Sequence, residues 1–180
     1  MNTSTGMNQN SSESNQFELI EKTIEIGRTS KVVEGGRIFN FSAIVVVGNG
    51  KGKVGFGIGK SQDVPGALQK ATDQAKKSMI QVDLRGSTIQ HKVVGRHCAT
   101  KLLMLPASDG TGVIAGGAAR SIFEVMGVEN VLAKCIGSTT TINVVYATFD
   151  ALKRQQTRRS VALRRGISFK DRMVRKQENG

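Results

Sequence analysis

The sequence contains few aromatic residues and few cysteines. Tryptophan is absent, tyrosine occurs once, and aromatic residues make up 4% of the 180 positions. Any hydrophobic core must therefore be built mainly from Val, Ile, Leu and Ala. The two cysteines, Cys98 and Cys135, are too few for a disulfide framework, and we expect reduced thiols in a cytoplasmic protein.

Acidic residues are outnumbered, and long apolar runs are missing. The chain has 26 Lys and Arg against 14 Asp and Glu, a formal net charge of +12. This excess favours a polyanionic partner, with nucleic acid first and an anionic membrane surface second. No run of about 18 apolar residues occurs, so no membrane-spanning helix is expected. The polar start, MNTSTGMNQNSSESNQ, does not have the pattern of a secretory signal.

Composition divides the chain into four parts. Residues 1–17 are rich in Asn, Ser, Thr and Gln, and we expect a disordered polar tail. Residues 156–180 form a basic tail, which is either a solvated run of charge or a segment that orders on binding nucleic acid. Between the tails we predict two domains, at residues 18–81 and 82–155.

The first domain has the pattern of a small sheet with a helix on it. Residues 17–31 read as a short helix running into a strand, and residues 38–47, rich in Val and Ile, read as the next strand. A third strand follows, and Asp63 just before a proline marks the start of a helix with an apolar stripe. The order (α)βββα predicts a two-layer α+β domain.

The second domain is expected to be another two-layer α+β unit. Gly127 should end the first of its two helices, because glycine favours the left-handed conformation found there. The predicted order is ββαβα, with strands at residues 87–95, 101–108 and 131–136, one helix at 112–127 and a last helix capped by Ser138 or Thr139.

The third strand of the first domain lies in a glycine-rich stretch, VVVGNGKGKVGFGIGKS, at residues 45–61. Its end resembles a phosphate-binding loop, but the first glycine of that motif would have to stand where Val54 is, and the helix starts several residues too late. Apolar residues instead alternate with glycines, which predicts a strand with one apolar face and one bare face. Two interpretations stay open: the bare face receives a sugar-phosphate backbone, or it packs on a segment of the same chain.

The sequence carries no arrangement that predicts catalysis, a metal site or a cofactor. His97 and Cys98 are adjacent, so on a strand they point to opposite faces and cannot act as a nucleophile pair. No Cys-x-x-Cys pair supports a zinc site, and acidic residues occur singly. We therefore expect a protein that binds nucleic acid without catalysis and not an enzyme, with a nucleotide hydrolase and a free regulatory RNA-binding protein as the alternatives.

Two long stretches are similar to a known family. Residues 30–71, SKVVEGGRIFNFSAIVVVGNGKGKVGFGIGKSQDVPGALQKA, and residues 105–138, LPASDGTGVIAGGAARSIFEVMGVENVLAKCIGS, resemble the bacterial form of the fifth protein of the small ribosomal subunit. The resemblance runs from about residue 18 to about residue 155. It implies a first domain similar to double-stranded-RNA-binding domains. It also implies a left-handed crossover in the second domain, where the pattern alone predicts the usual right-handed one.

The resemblance further implies a function and partners. It implies a structural protein that binds small-subunit ribosomal RNA on the back of the subunit and stabilises the head relative to the body. It implies contacts with ribosomal proteins four and eight, a place beside the messenger RNA entry path and a share in translational accuracy. We accordingly expect a constituent of the cytoplasmic ribosome.

The residues expected to bind RNA lie in the basic part of the first domain. By position, residues 30–37 look like the family loop that reaches ribosomal RNA, with cations for the phosphates and two glycines for a tight turn. Composition alone would favour an ordinary solvated hairpin. Lysines of the glycine-rich stretch are expected to contact phosphates as well. The full set is Arg28, Ser30, Lys31, Gly35, Gly36, Arg37, Lys51, Lys53 and Lys60.

A second surface is expected to contact a protein. The resemblance implies that this surface faces ribosomal protein four. For its arginine, a salt bridge on the helix surface is an equally good interpretation. The residues are Gly110, Thr111, Gly112 and Arg120.

Overall fold

The computed structural model describes residues 19–166. In chain order its elements are β1 (Ile20–Val33), β2 (Gly36–Gly48), β3 (Lys53–Ser61), α1 (Val64–Lys77), β4 (Ile80–Gln81), β5 (Val93–His97), β6 (Thr100–Pro106), β7 (Val113–Ile114), α2 (Gly117–Met126), β8 (Val131–Gly137), α3 (Thr141–Lys153) and α4 (Arg158–Arg164). The strands form two four-stranded sheets with the orders β1-β2-β3-β4 and β5-β6-β8-β7. This architecture confirms the α+β class and the two sheet-and-helix units.

The polar tail predicted at residues 1–17 lies outside the described residues, as does the basic tail beyond residue 166. The part of the basic tail that is described contains α4. The domain boundaries predicted at residues 81 and 155 stay predictions.

β1 is a strand over its whole length, so the short helix predicted near its start is wrong. It pairs antiparallel with β2, from Ile20 opposite Gly48 to Val33 opposite Gly36. Its Ile, Thr and Val residues have branched side chains that favour strands. Pairing along the whole of β2 therefore outweighs the weak helical spacing of its first residues.

β2 is buried on both faces where it crosses the first sheet. Val45 and Val47 pack against α1, whereas Ile44 and Val46 belong to the large core cluster that includes the second unit. Because successive residues of a strand point to opposite faces, an unbroken apolar run is what a strand covered on both sides requires.

The bare face of β3 is covered by α1. A Cβ atom on Gly57 would lie 2.7 Å from the backbone nitrogen of Ala75 and closer still to the carbonyl oxygen of Ala71. The other glycines in the bare row, Gly55 and Gly59, meet the helix backbone in the same way. Of the two open interpretations, packing on the chain's own segment is confirmed, and a sugar-phosphate backbone has no room there.

The second unit differs from the prediction at the start of its first helix. Residues 113–114 form β7, and α2 begins only at Gly117, so the helix predicted over residues 112–127 starts too early. Consecutive glycines at 116 and 117 explain the delay, since glycine disfavours helix interiors. The helix ends at Gly127, whose φ of 85° is left-handed, as predicted.

Two other boundaries in the second unit also differ. The strand predicted from residue 87 begins at Val93, because Arg85 and Thr88 close a tight turn through an isolated bridge before it. The last helix follows Thr140, one or two residues beyond the predicted caps. β7 and β8 are parallel neighbours joined by α2, and the left hand of this crossover stays a prediction.

The two units share one hydrophobic core. Phe56 of β3 packs against two rings of α3, its centroid 5.0 Å from that of Tyr146 and 4.6 Å from that of Phe149. α2 contributes the buried Phe123 and Met126 to the same cluster. The apolar face that alternation predicted for β3 is therefore the seam between the units, and packed aromatic rings fix their relative position.

An ion-pair cluster also joins β1 to α2. Glu124 accepts hydrogen bonds from Lys22 of β1 and from Arg120 one turn earlier in α2. These two cations hold the pKa of Glu124 below its ordinary value. All three side chains are partly exposed, so the cluster contributes little to the free energy of unfolding and mainly orients the side chains.

The seating of α1 on β3 predicts a specific sensitivity to added volume. Gly57→Ala should lower the free energy of unfolding by roughly 2 kcal/mol, because the helix must move away from the strand. Gly35→Ala is the matched control, since nothing lies within 4 Å of a Cβ atom there, and it should change stability by less than about 0.5 kcal/mol. Urea denaturation measures both variants, and equal stabilities would contradict the packing described.

Candidate nucleic-acid interface

The end of the β1–β2 hairpin projects beyond the rest of the first sheet. β3 accompanies β2 only as far as Phe41, which lies opposite Ser61, whereas β1 and β2 continue to Val33 opposite Gly36. Residues 29–40, which we call the arm, therefore form a ribbon of two strands with no third strand beside it. A two-stranded ribbon has little stability of its own, so the arm depends on its root in the sheet and on what it contacts.

The arm exposes apolar side chains as well as cations. Val32 is 72% exposed, Ile38 46% and Phe39 43%. Arg28, at the base of the arm, places its guanidinium 4.3 Å from the centre of the Phe39 ring, a cation–π contact that orients the charge. Exposed apolar side chains grouped in this way are typical of a surface that is covered in an assembly.

The cations lie on both faces of the arm. Arg28 and Ser30 share one face with Val32, because residues two apart in a strand point the same way. Arg37 lies directly opposite Val32 and therefore projects from that face as well. Lys31 projects from the opposite face together with Ile38. Among residues 19–166, none of these three cations forms an ion pair with a carboxylate. Positive charge is thus available on both sides of the ribbon.

The tip of the arm is narrow. Glu34 and Gly35 form its turn, and Gly36 has a φ of 137°, which side chains disfavour. No atom lies within 4 Å of a Cβ atom at either glycine, so the glycines do not make room for a neighbouring part of the chain. The tip therefore carries no side chain at these two positions.

Lys51 and Lys53 lie at the opposite end of the first sheet. They belong to the turn after β2, where Asn49 Oδ1 accepts hydrogen bonds from the backbone N–H groups of both lysines, at 2.9 Å each. The N–H groups of Gly50 and Gly52 donate to the last two carbonyl groups of α2, at 3.1 and 3.0 Å. The lysine side chains are exposed, but they stand at the junction of the two units and not on a free tip.

Lys60 lies at the arm's end of β3. Seven residues separate it from Lys53, so at about 3.3 Å per residue the two lysines stand roughly 23 Å apart. Lys60 also lines a cavity of about 280 Å³ between the first sheet and the start of α3. The predicted RNA-binding residues therefore form two groups, one at the arm with Lys60 and one at the junction turn.

The loop at residues 110–112 is built around a buried asparagine. Asn130 Oδ1 accepts a hydrogen bond from the Gly112 backbone at 3.0 Å, and Asn130 Nδ2 donates to Ser87 Oγ at 3.0 Å. Thr111 Oγ1 donates to the Ser108 carbonyl oxygen at 2.8 Å. The loop backbone is thereby fixed, and both of its glycines have a positive φ, so its shape depends on them.

Arg120 lies in the first turn of α2, and its side chain is exposed. Its Nε donates to Glu124 Oε1 at 2.8 Å, so the salt bridge that was the alternative interpretation is formed. Glu124 is the single carboxylate that pairs with both Lys22 and Arg120. The cluster therefore has a net positive charge at this surface. Arg120 is not joined to the loop at residues 110–112 by any hydrogen bond of the described residues.

Sites for other chemistry are missing from the described residues. No group of three His, Cys, Asp or Glu side chains within residues 19–166 has a geometry for holding a metal ion. His97 stacks on Tyr146, with ring centroids 4.6 Å apart, and burial raises the pKa of the Cys135 thiol, which lowers its reactivity. In the same part of the chain, no helix is long and apolar enough for a membrane crossing.

Sequence reasoning missed Asn130 and the stack of His97 on Tyr146. Asn130 acts through partners 18 and 43 positions away, and the stack joins β5 to α3. No local spacing in the sequence predicts either contact. The one signal is that Tyr146 is the only tyrosine of the chain.

Both units match known protein families. The model described as "Ribosomal protein S5, N-terminal domain" matches residues 19–83, and that described as "Ribosomal protein S5, C-terminal domain" matches residues 95–165. The small ribosomal subunit protein uS5 of Coxiella burnetii is 58% identical over 151 residues, which cover 84% of this chain and 90% of that protein. Proteins of the same name from Pseudomonas putida strain F1 and Pseudomonas fluorescens strain SBW25 are 57% and 56% identical over 152 residues, 84% of this chain and 92% of each relative.

These matches agree with the architecture. The first matched segment contains the arm, both lysine groups and α1, and the second contains β6 to α3. The resemblance noted in the sequence is confirmed. With its two units matched in order, and with relatives more than half identical over most of its length, the chain belongs to the ribosomal protein S5 family.

Proposed function

We propose that this chain binds small-subunit ribosomal RNA through the arm and holds parts of the cytoplasmic ribosomal subunit in a fixed relation. As a member of its family, the chain is a structural constituent of the small ribosomal subunit and not an enzyme. The arm carries the proposal, because it is a rooted ribbon with unpaired cations on both faces and exposed apolar side chains. A nucleotide hydrolase has no support, because the space beside the glycines of β3 is occupied by the backbone of α1.

The binding is electrostatic first. Cations of the arm displace counterions from RNA phosphates, so affinity falls steeply as salt rises. The exposed side chains of Val32, Ile38 and Phe39 gain further free energy when they leave water. Duplex RNA is recognised mainly through its backbone and 2′-hydroxyl groups, so little base specificity is expected from the arm.

The shared core supports a role in holding the head of the subunit relative to its body. Phe56 packs on α3, and the turn at residues 49–52 is bonded to α2, so the sheet that carries the arm is joined to the unit that carries the loop at residues 110–112. A rigid protein that binds RNA at one point and a neighbouring protein at another holds the two at a fixed distance. We infer contacts with ribosomal proteins four and eight, a place beside the messenger entry path and a contribution to translational accuracy.

Neutralising the arm should weaken binding to RNA. The triple variant Arg28→Gln, Lys31→Gln, Arg37→Gln should bind purified small-subunit ribosomal RNA at least tenfold more weakly at moderate salt, with a salt slope smaller by about 2. Filter binding over a range of salt concentrations measures both quantities.

The control for the arm is a triple variant of equal charge on the second sheet, Arg96→Gln, Lys101→Gln, Lys134→Gln, which are exposed and lie outside the arm. It should retain most of the affinity. Equal losses in the two variants would show that only net charge matters and would contradict a specific role of the arm.

The loop at residues 110–112 and Arg120 should contribute to binding ribosomal protein four. The double variant Thr111→Ala, Arg120→Gln loses the bond that fixes the loop and one cation, and we expect about tenfold weaker association, or about 1.4 kcal/mol. Titration of the purified proteins measures it, and subunits carrying the variant should show altered stop-codon readthrough. Thr72→Ala with Lys77→Gln on α1 is the control; a comparable effect of both pairs would argue against this surface.

A further inference from the structure

An open cleft with strong positive charge lies between the connection of the two units and the start of α4. Its volume is about 600 Å³. The connection between the units follows β4, and Gln81 of β4 pairs with Lys53 at the junction end of the first sheet. The arm lies at the opposite end of that sheet, so the cleft is separate from the arm. The residues that line the cleft are Arg85, Gln90, Thr157, Arg158 and Arg159.

Three arginines converge on this cleft without a carboxylate. None of its lining residues is acidic, and within residues 19–166 none of the three forms an ion pair. Arg85 comes from a part of the chain more than 70 positions before Arg158 and Arg159, so folding brings these like charges together. Such a gathering is unfavourable by itself and becomes favourable when an anion lies between the guanidinium groups.

The chain holds the two sides of the cleft in place. His91 Nε2 accepts a hydrogen bond from the Gln156 backbone N–H at 3.1 Å, and Gln155 Nε2 donates to the His91 carbonyl oxygen at 3.3 Å. Thr157 Oγ1 then caps α4 by accepting from the Ser160 backbone N–H at 3.1 Å. The backbone that carries Arg158 and Arg159 is therefore positioned before a ligand arrives, which reduces the entropy cost of binding.

The cleft continues into a second cavity of about 230 Å³, with which it shares Gln90 and Thr157. Gln155 Oε1 is buried at this place and accepts no hydrogen bond from the described residues. Asp83 and Lys153 both line the second cavity, so their charges offset each other there. A phosphate is thus favoured among the arginines of the cleft.

We propose that this cleft binds a phosphodiester group of ribosomal RNA and forms a second RNA contact, distinct from the arm. The guanidinium groups of Arg85, Arg158 and Arg159 present paired N–H donors that match phosphate oxygens. The inference rests on the proposed function, since it names a second point at which the chain grips the same RNA.

The experiment compares two triple variants of the full chain in binding purified small-subunit ribosomal RNA. Arg85→Gln, Arg158→Gln, Arg159→Gln removes the cations of the cleft. Arg96→Gln, Arg164→Gln, Arg165→Gln is the matched control, with the same change of charge, one substitution at the last residue of α4 and one at its C-cap. The cleft variant should lose about tenfold more affinity than the control, and its salt slope should be smaller by about 2. Arg85→Gln alone, which leaves α4 untouched, should show about a third of the change in slope.

The outcomes separate this inference from the proposed function. If the unmodified chain does not bind the RNA, the proposed function fails and this inference fails with it. If the chain binds, the arm variant binds weakly and the two triples of this experiment lose affinity equally, only the cleft inference is overturned. It is also overturned if the cleft variant keeps its affinity for RNA and loses binding to vesicles containing phosphatidylserine, because the arginines would then serve a lipid headgroup.

Discussion

The contact between the backbone of α1 and the bare row of β3 is the constraint on which the first unit depends. Because Gly57 has no side chain, the helix lies against the strand itself, and Val45 and Val47 of β2 are enclosed beneath it. The opposite face of the same sheet is then free to bury Phe56 against α3. The sheet is covered on both sides at its centre, although the chain has few aromatic residues to cover it with.

The cover on both faces of the sheet anchors the arm. β2 runs without interruption from the buried centre of the sheet to the exposed tip at Gly36, so a ribbon without a core of its own is held by a strand that has one. In the proposed function, the exposed Val32 and Phe39 and the unpaired cations meet RNA in a fixed arrangement. A preorganised surface loses less conformational entropy on binding, which suits a protein that connects parts of a large particle.

The sequence predicted the features that local spacing determines and missed those that depend on distant partners. The alternation around Gly57 and the left-handed end of α2 at Gly127 follow from neighbouring residues and are confirmed. The occupant of the bare face could not be predicted, because it is a helix whose position depends on tertiary packing. The start of β1 was mistaken for a helix, since its pairing with β2 is not visible locally. The gathering of Arg85 with Arg158 was likewise hidden by their separation in the chain.

The proposed function depends most on the arm lying inside folded ribosomal RNA. Hydroxyl radicals generated at its tip test this directly: iron is tethered to Glu34→Cys in a chain whose Cys98 and Cys135 are replaced by Ser, and the chain is assembled into small subunits. We predict strong cleavage of the RNA backbone from position 34 and weak cleavage from a second probe at Gln69→Cys, on the exposed side of α1. Cleavage from position 69 with none from position 34 would contradict the account.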